Sequence, residues 1–163
     1  MRHVELNARV RSRQARDVFE NVLRWERYPE LAPHVESATV HTAYPASEGS
    51  SSWELHFRSG LLRWTEQDRF LPEQLEIHFQ QTDGDFDSFT GSWRLTQDGD
   101  DVLVHFEADF DFGIPSLEGI LDPIADRVIR ETVAWAVTGM FPTTELAGDA
   151  DPGGSAPSAV ATA

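Results

Sequence analysis

From residue 35 to residue 112 apolar and polar side chains alternate in short runs, each stopped by a turn signal, the pattern of consecutive half-buried strands. Residues 35–44 form the first run and close at PASEGS. Residues 51–58 set Trp53, Leu55 and Phe57 against Glu54, His56 and Arg58, and Ser59-Gly60 turns the chain into residues 62–71. Beyond Pro72-Glu73, residues 75–81 place Leu75, Ile77 and Phe79 on one side. DGD at 83–85 turns again, and Phe89, Gly91, Trp93 and Leu95 share a face of the next strand. QDGDD leads into residues 102–112, where Val102, Val104, Phe106, Ala108, Phe110 and Phe112 oppose Leu103, His105, Glu107, Asp109 and Asp111.

Ahead of this series, residues 2–10 alternate as a further strand, and Ser12 is placed to cap a helix whose buried stripe is Ala15, Val18, Phe19, Val22 and Leu23. Tyr28-Pro29 is expected to interrupt that helix near residue 25, with a second short turn over residues 30–33. Behind the series, Gly113 and Pro115 break the last strand. Residues 116–141 are the only stretch long enough for a helix of about seven turns. Its expected inner face is Leu117, Leu121, Ile124, Val128, Thr132, Trp135 and Gly139.

Strands joined by short turns are antiparallel neighbours, and the first strand is expected to pair with the last. The expected class is α+β: a bent seven-stranded antiparallel sheet wrapped around one long C-terminal helix, with two short helices after the first strand. Residues 1–143 form the expected domain. Residues 144–163, rich in Pro, Gly and Ala and without aromatics, read as a disordered tail.

Composition narrows the chemistry. A chain of 163 residues with 40% hydrophobic residues suits one domain with one core. Lys plus Arg number 13 against 28 Asp plus Glu, a formal charge of -15, so nucleic acid is not an expected partner. Every basic residue among the 13 is Arg, which excludes a lysine Schiff base, and the absence of Cys excludes thiolate chemistry and disulfides. No cofactor is expected. With no long apolar run and no leader pattern in residues 1–10, the expectation is a cytoplasmic protein without membrane insertion, a monomer or homodimer.

The order of elements, with YPEL at 28–31, WTEQDRF at 64–70 and GDFDSFTGSWRL at 84–95, resembles the START-like superfamily, and within it the polyketide cyclase and coenzyme Q-binding branch. The resemblance spans residues 2–141. It implies a helix-grip fold of the Bet v 1/START type, whose sheet and helix enclose a deep hydrophobic cavity for a lipid, a polyketide or another bulky apolar ligand. In the aromatase/cyclase branch an arginine on the fourth sheet strand projects into the cavity. The position resembling it here is Arg69, with Arg63 on the same face, while Val35 stands where those cyclases carry a tyrosine.

The rings Trp53, Phe57, Phe79, Phe89, Trp93, Phe106, Phe110 and Trp135, with Val128, are the expected ligand-facing surface. The fourth strand breaks clean alternation: Trp64, Glu66, Asp68 and Phe70 share one face and Arg63, Thr65, Gln67 and Arg69 the other, so either orientation sends ionisable groups inward. The expected catalytic set is Arg69 and Arg63 for a developing enolate or alkoxide, with Glu131 and Thr132 on the helix moving protons. No metal site is expected, because His56, His78 and His105 lie on strands that are not neighbours. Two functions follow. One is a polyketide cyclase or dehydratase directing aldol-type cyclisation of a carbonyl-rich substrate, which an acyl carrier protein could deliver against the Arg9, Arg11, Arg13 and Arg16 cluster. The other is a non-catalytic carrier of a lipid or quinone.

Overall fold

A computed structural model describes residues 1–147. Eight strands form one antiparallel sheet: β1 (Arg2–Val10), β2 (Val35–Thr42), β3 (Glu48–Phe57), β4 (Gly60–Leu71), β5 (Glu76–Gly84), β6 (Ser88–Asp98), β7 (Asp101–Asp111) and β8 (Thr144–Leu146). Their spatial order is β2-β3-β4-β5-β6-β7-β1-β8. The expected meander is present, and β1 pairs with β7 as anticipated, Leu6 opposite Phe106. The helices are α1 (Ala15–Val22), α2 (Tyr28–Leu31) and α3 (Glu118–Met140), with single 3₁₀ turns at Trp25–Arg27 and Pro115–Leu117.

The strand count is eight where seven were expected. Thr144–Leu146, assigned from composition to the tail, pair with Ala8, Arg9 and Val10 and cover the free edge of β1. Three residues are too few to show a period, and what holds them is tertiary: β1 offers unpaired backbone groups, and Arg11 Nη2 meets Glu145 Oε2 at 3.0 Å. The remainder of the expected tail, residues 148–163, lies outside the described residues.

The start of the first helix also differs. Ser12 does not cap it; Ser12 adopts φ 57° in the preceding turn and its N–H donates to Asp101 Oδ1 at 3.0 Å. The chain breaks at Leu23-Arg24, and Pro29 opens the next helix in its first turn, where its missing N–H is harmless, instead of interrupting one.

In α3 the buried positions are Asp122, Ala125, Asp126, Val128, Ile129, Thr132–Val137 (residues 132–137) and Met140. Toward its N-terminus the buried face is rotated about one residue from the predicted stripe: Leu117 is exposed, and Asp122 and Asp126 are buried in place of Leu121 and Ile124. The reason is a pairing invisible in periodicity. Asp126 accepts from Arg2 Nε at 2.9 Å and is bound by Arg130 one helical turn on, so a carboxylate is held where an apolar residue was expected.

The concave face of the sheet and α3 enclose the core. Gly91 has a specific place in it: a Cβ there would lie 2.3 Å from Phe79 Cζ and 2.5 Å from the Glu107 carbonyl oxygen, so only a bare backbone lets the Phe79 ring cross the sheet at its register partner.

Candidate functional site

The interior cavity lies between the sheet, α3 and the turn after α1. It is lined by Trp25, Tyr28, Trp53, Leu55, Trp64, Glu66, Phe79, Phe89, Trp93, Phe106, Ile129, Thr132 and Val133, and its volume is about 60 Å³. That is room for a few waters, against roughly 300–1,000 Å³ for a drug-sized ligand site. The rings therefore fill most of the space that was expected to be a deep cavity. Phe79 stacks on Phe106 at 6.0 Å and meets Phe89 edge-on at 5.3 Å, while Trp53 lies parallel to Trp64 across β3 and β4 at 6.1 Å.

Of the expected ligand-facing residues, Trp53, Phe79, Phe89, Trp93 and Phe106 line the cavity. Phe57 does not; it is only partly buried and packs against Phe112 at 5.9 Å. Phe110 is wholly buried against Phe86 and Phe112, away from the opening. Val128 and Trp135 are off the lining because α3 turns Ile129, Thr132 and Val133 to it instead, and the Trp135 ring lies 4.8 Å from His34.

The fourth strand settles the polar question against the arginines. β4 turns Trp64, Glu66, Asp68 and Phe70 inward, so Arg63 and Arg69 project from the outer face and are exposed. Arg63 Nε pairs with Glu54 Oε2 at 2.7 Å. Arg69 lies over an outer groove with Gln67 and His78. The physical reason is area: Trp64 and Phe70 share a face, and burying two large rings outweighs the cost of burying Glu66 and Asp68 with them. Neither arginine can stabilise charge in the cavity.

Glu131 and Thr132 are likewise reassigned. Glu131 sits on the flank of α3, where it accepts from Arg127 Nε at 3.2 Å and its Oε1 is 2.8 Å from His34 Nε2, and it does not line the cavity. Thr132 does line it, but its hydroxyl donates to the Val128 carbonyl at 2.7 Å and its proton is committed to the helix. The Tyr28 hydroxyl donates to the Val22 carbonyl at 2.7 Å; burial above all, and then Glu66, hold its pKa well above 10.

What the sequence reading named without assigning is the inward acid pair. Glu66 is 5% exposed and Asp68 0%. Trp64 Nε1 donates to Glu66 Oε1 at 2.8 Å, Ser51 Oγ donates to Asp68 Oδ2 at 2.8 Å, and Trp53 Nε1 donates to Ser51 Oγ at 3.0 Å. Among the described residues neither carboxyl has a basic partner within ion-pair distance. Burial pushes the Glu66 carboxyl well above the usual carboxylate range, and the hydrogen bond and charge of the adjacent Asp68 push it the same way. Asp68 is also raised, by burial, with Glu66, Ser51 and Trp25 opposing. Trp25 Nε1 approaches Asp68, yet neither it nor Asp68 Oδ1 has a partner at full hydrogen-bonding geometry. Both shifts favour the protonated form in an apolar interior, the direction required of a general acid. The signal for it was the departure from alternation on this strand; which face would turn inward was not written there.

Elsewhere, the arginine cluster proposed for carrier docking is neutralised from within. Arg9 pairs with Asp98 and Asp101, Arg11 with Glu145, Arg13 with Asp17 and Arg16 with Glu20. His56 and His78 each face a neighbouring glutamate, Glu36 at 2.9 Å and Glu76 at 2.9 Å. No helix among the described residues is long and apolar enough to cross a membrane.

No curated protein matches the chain by sequence. Solved structures do match in fold. A Thermus thermophilus protein, TTHA0849, superposes with a TM-score of 0.75 at 22% identity, over 85% of this chain and 94% of that one. The Zhui aromatase/cyclase from Streptomyces sp. R1128 gives 0.70 at 18% identity, over 85% and 92%. A START superfamily protein from Mycobacterium smegmatis gives 0.70 at 17%, over 86% and 97%. These likenesses show the helix-grip, START-like fold that the element order implied. The family model described as polyketide cyclase / dehydrase and lipid transport matches residues 12–136, from the turn before α1 to the cavity-lining turns of α3, and the chain belongs to that family.

Proposed function

We propose that this protein is a cofactor-independent cyclase or dehydratase that takes an apolar, carbonyl-bearing substrate of the polyketide kind into the aromatic cavity, with Glu66 moving the proton. The observation that carries the reading is a buried Glu66 carboxyl on the wall of an otherwise apolar cavity, its pKa raised by that burial and by the adjacent Asp68, with no cation within ion-pair distance among the described residues. A carboxyl kept there at a cost in stability is a candidate for use.

The chemistry balances without a co-reactant. Transfer of the shared proton from Glu66 to Asp68 frees the Glu66 carboxylate, which takes the α-proton of a ketone. The resulting enolate attacks a second carbonyl, a C–C bond forms, and the new alkoxide receives the same proton back from Glu66. Loss of that hydroxyl as water repeats the exchange: Glu66 takes the adjacent C–H proton and passes it to the departing oxygen, which leaves as water and restores the carboxylate. The rings hold the chain in one folded conformation and keep bulk water from the enolate. At about 60 Å³ the cavity takes only a compact part of such a substrate before side chains move.

The test is the product profile of a polyketide-forming mixture with and without the protein. The wild type should redirect cyclisation, and Glu66→Gln should remove the effect while circular dichroism and thermal unfolding show an intact fold. Redirected products from Glu66→Gln would falsify the assignment. The second reading, carriage of a lipid or quinone without chemistry, is favoured by one observation: the Thr132 and Tyr28 hydroxyls that line the cavity are both committed to backbone carbonyls. Retention of an isoprenoid quinone in native mass spectrometry, with no change in any product profile, would decide for it.

A further inference from the structure

On the outer face of the sheet, away from the cavity, β1 and β7 bring His3, Glu5 and Glu107 together. Glu5 and Glu107 are direct register partners, and His3 is opposite Asp109. His3 Nδ1 lies 2.8 Å from Asp109 Oδ1, which places the ring proton on Nδ1, since a carboxylate can only accept. The other nitrogen, Nε2, faces Glu5 Oε2 at 2.8 Å and Glu107 Oε1 at 3.7 Å, a place that either a second ring proton or a metal ion can fill. The two carboxylates are like charges facing each other across neighbouring strands, and positive charge on or beside Nε2 relieves their repulsion.

We propose that His3 Nε2, Glu5 and Glu107 Oε1 form a binding site for a divalent ion of the zinc, cobalt or nickel class. The three ligand atoms lie within 4.8 Å of one another. An ion at about 2.0–2.2 Å from each needs them roughly 3.0–3.5 Å apart, which small rotations of exposed side chains supply. A proton on Nε2 is shared with Glu5 at 2.8 Å and reaches Glu107 Oε1 only at 3.7 Å, whereas an ion can engage all three. The imidazole nitrogen with two carboxylates suits these borderline ions.

Two of the three ligands, His3 and Glu107, are also oriented from behind. Asp109 holds the His3 ring in the tautomer that presents Nε2, the carboxylate–histidine arrangement usual behind a metal-bound imidazole. The far oxygen of Glu107, Oε2, is taken by Arg94 Nη2 at 3.2 Å and His105 Nε2 at 3.3 Å, which leaves Oε1 for the ion. Three protein ligands leave coordination positions open to water.

The experiment is calorimetric titration of the untagged full chain with zinc sulfate, with the visible absorption of added Co²⁺ as a second readout. The expected result is one ion per chain. His3→Ala, at an exposed side chain, and Glu107→Gln, at a half-buried one, should each lose that binding, and Asp109→Asn should weaken it by about tenfold or more by releasing the His3 ring. His56→Ala, on β3 facing Glu36, should bind as the wild type does. No binding by the wild type means the site holds only a proton and overturns the proposal. So does binding that persists unchanged in His3→Ala.

Discussion

Glu66 and Asp68 stand two residues apart on β4 with both carboxyls turned into the same buried face, and among the described residues the donors that reach them come from Trp64, Ser51 and the approach of Trp25. In most folds two carboxyls so placed would be exposed or paired with arginine. Here the arginines of the same strand face the opposite way, so burial without a cation favours the protonated form of the pair.

That has a pH consequence whose sign is set by the direction of the shift. The folded-state pKa of Glu66 lies well above its unfolded value, so folding binds a proton. The stability this contributes is fully present below the unfolded carboxyl pKa of about 4.3 and is lost as pH rises through the folded pKa. Glu66→Gln, which cannot ionise, should therefore unfold at a higher temperature than the wild type at pH 8, by the equivalent of about 1–3 kcal/mol, with the gap narrowing toward pH 5. Parallel melting curves that keep a constant gap across that range would remove Glu66 as the proton-holding group.

Ser51 is the link between Asp68 and the cavity wall, donating to Asp68 Oδ2 and accepting from Trp53 Nε1. Ser51→Ala should cost about 1–3 kcal/mol in urea unfolding, because it strips a buried carboxyl of a donor and leaves an indole N–H unmet. The midpoint should fall with the slope unchanged; a midpoint within error of wild type would mean that solvent already serves both groups.

Gly91→Ala should destabilise by about 1–3 kcal/mol, since its methyl would meet both the Phe79 ring and the Glu107 backbone. The ring can yield and the carbonyl cannot. Adding Phe79→Leu should recover part of the loss, and the double-mutant cycle measures how much of the clash is with the ring.

Arg69→Ala should leave both the product profile and the melting temperature as in the wild type, since the side chain projects over the outer groove. Thr132→Val should likewise preserve turnover, because the hydroxyl proton goes to Val128 and is not offered to the cavity. Loss of product redirection in either variant, with the fold retained, would return that residue to the mechanism.

Period-two alternation and turn residues were enough to specify β2 to β7, their antiparallel order and the pairing of β1 with β7, because each strand buries one face and a one-residue slip would invert it. The aromatic character of the interior was legible for the same reason: Trp53, Phe79, Phe89, Trp93 and Phe106 all lie on the apolar side of clean strands. Three features needed the tertiary structure. β8 exists because β1 has an edge to cover. The inner face of α3 is set partly by Arg2, distant in sequence, which lets Asp126 be buried. On β4 both faces carry charge, so local pattern leaves the orientation open. Burial of Trp64 and Phe70 against neighbouring rings sends Arg63 and Arg69 outward and Glu66 and Asp68 inward. The acids were in view in the sequence as residues; that they, and not the arginines, face the cavity is decided by which rings the rest of the sheet has room to bury.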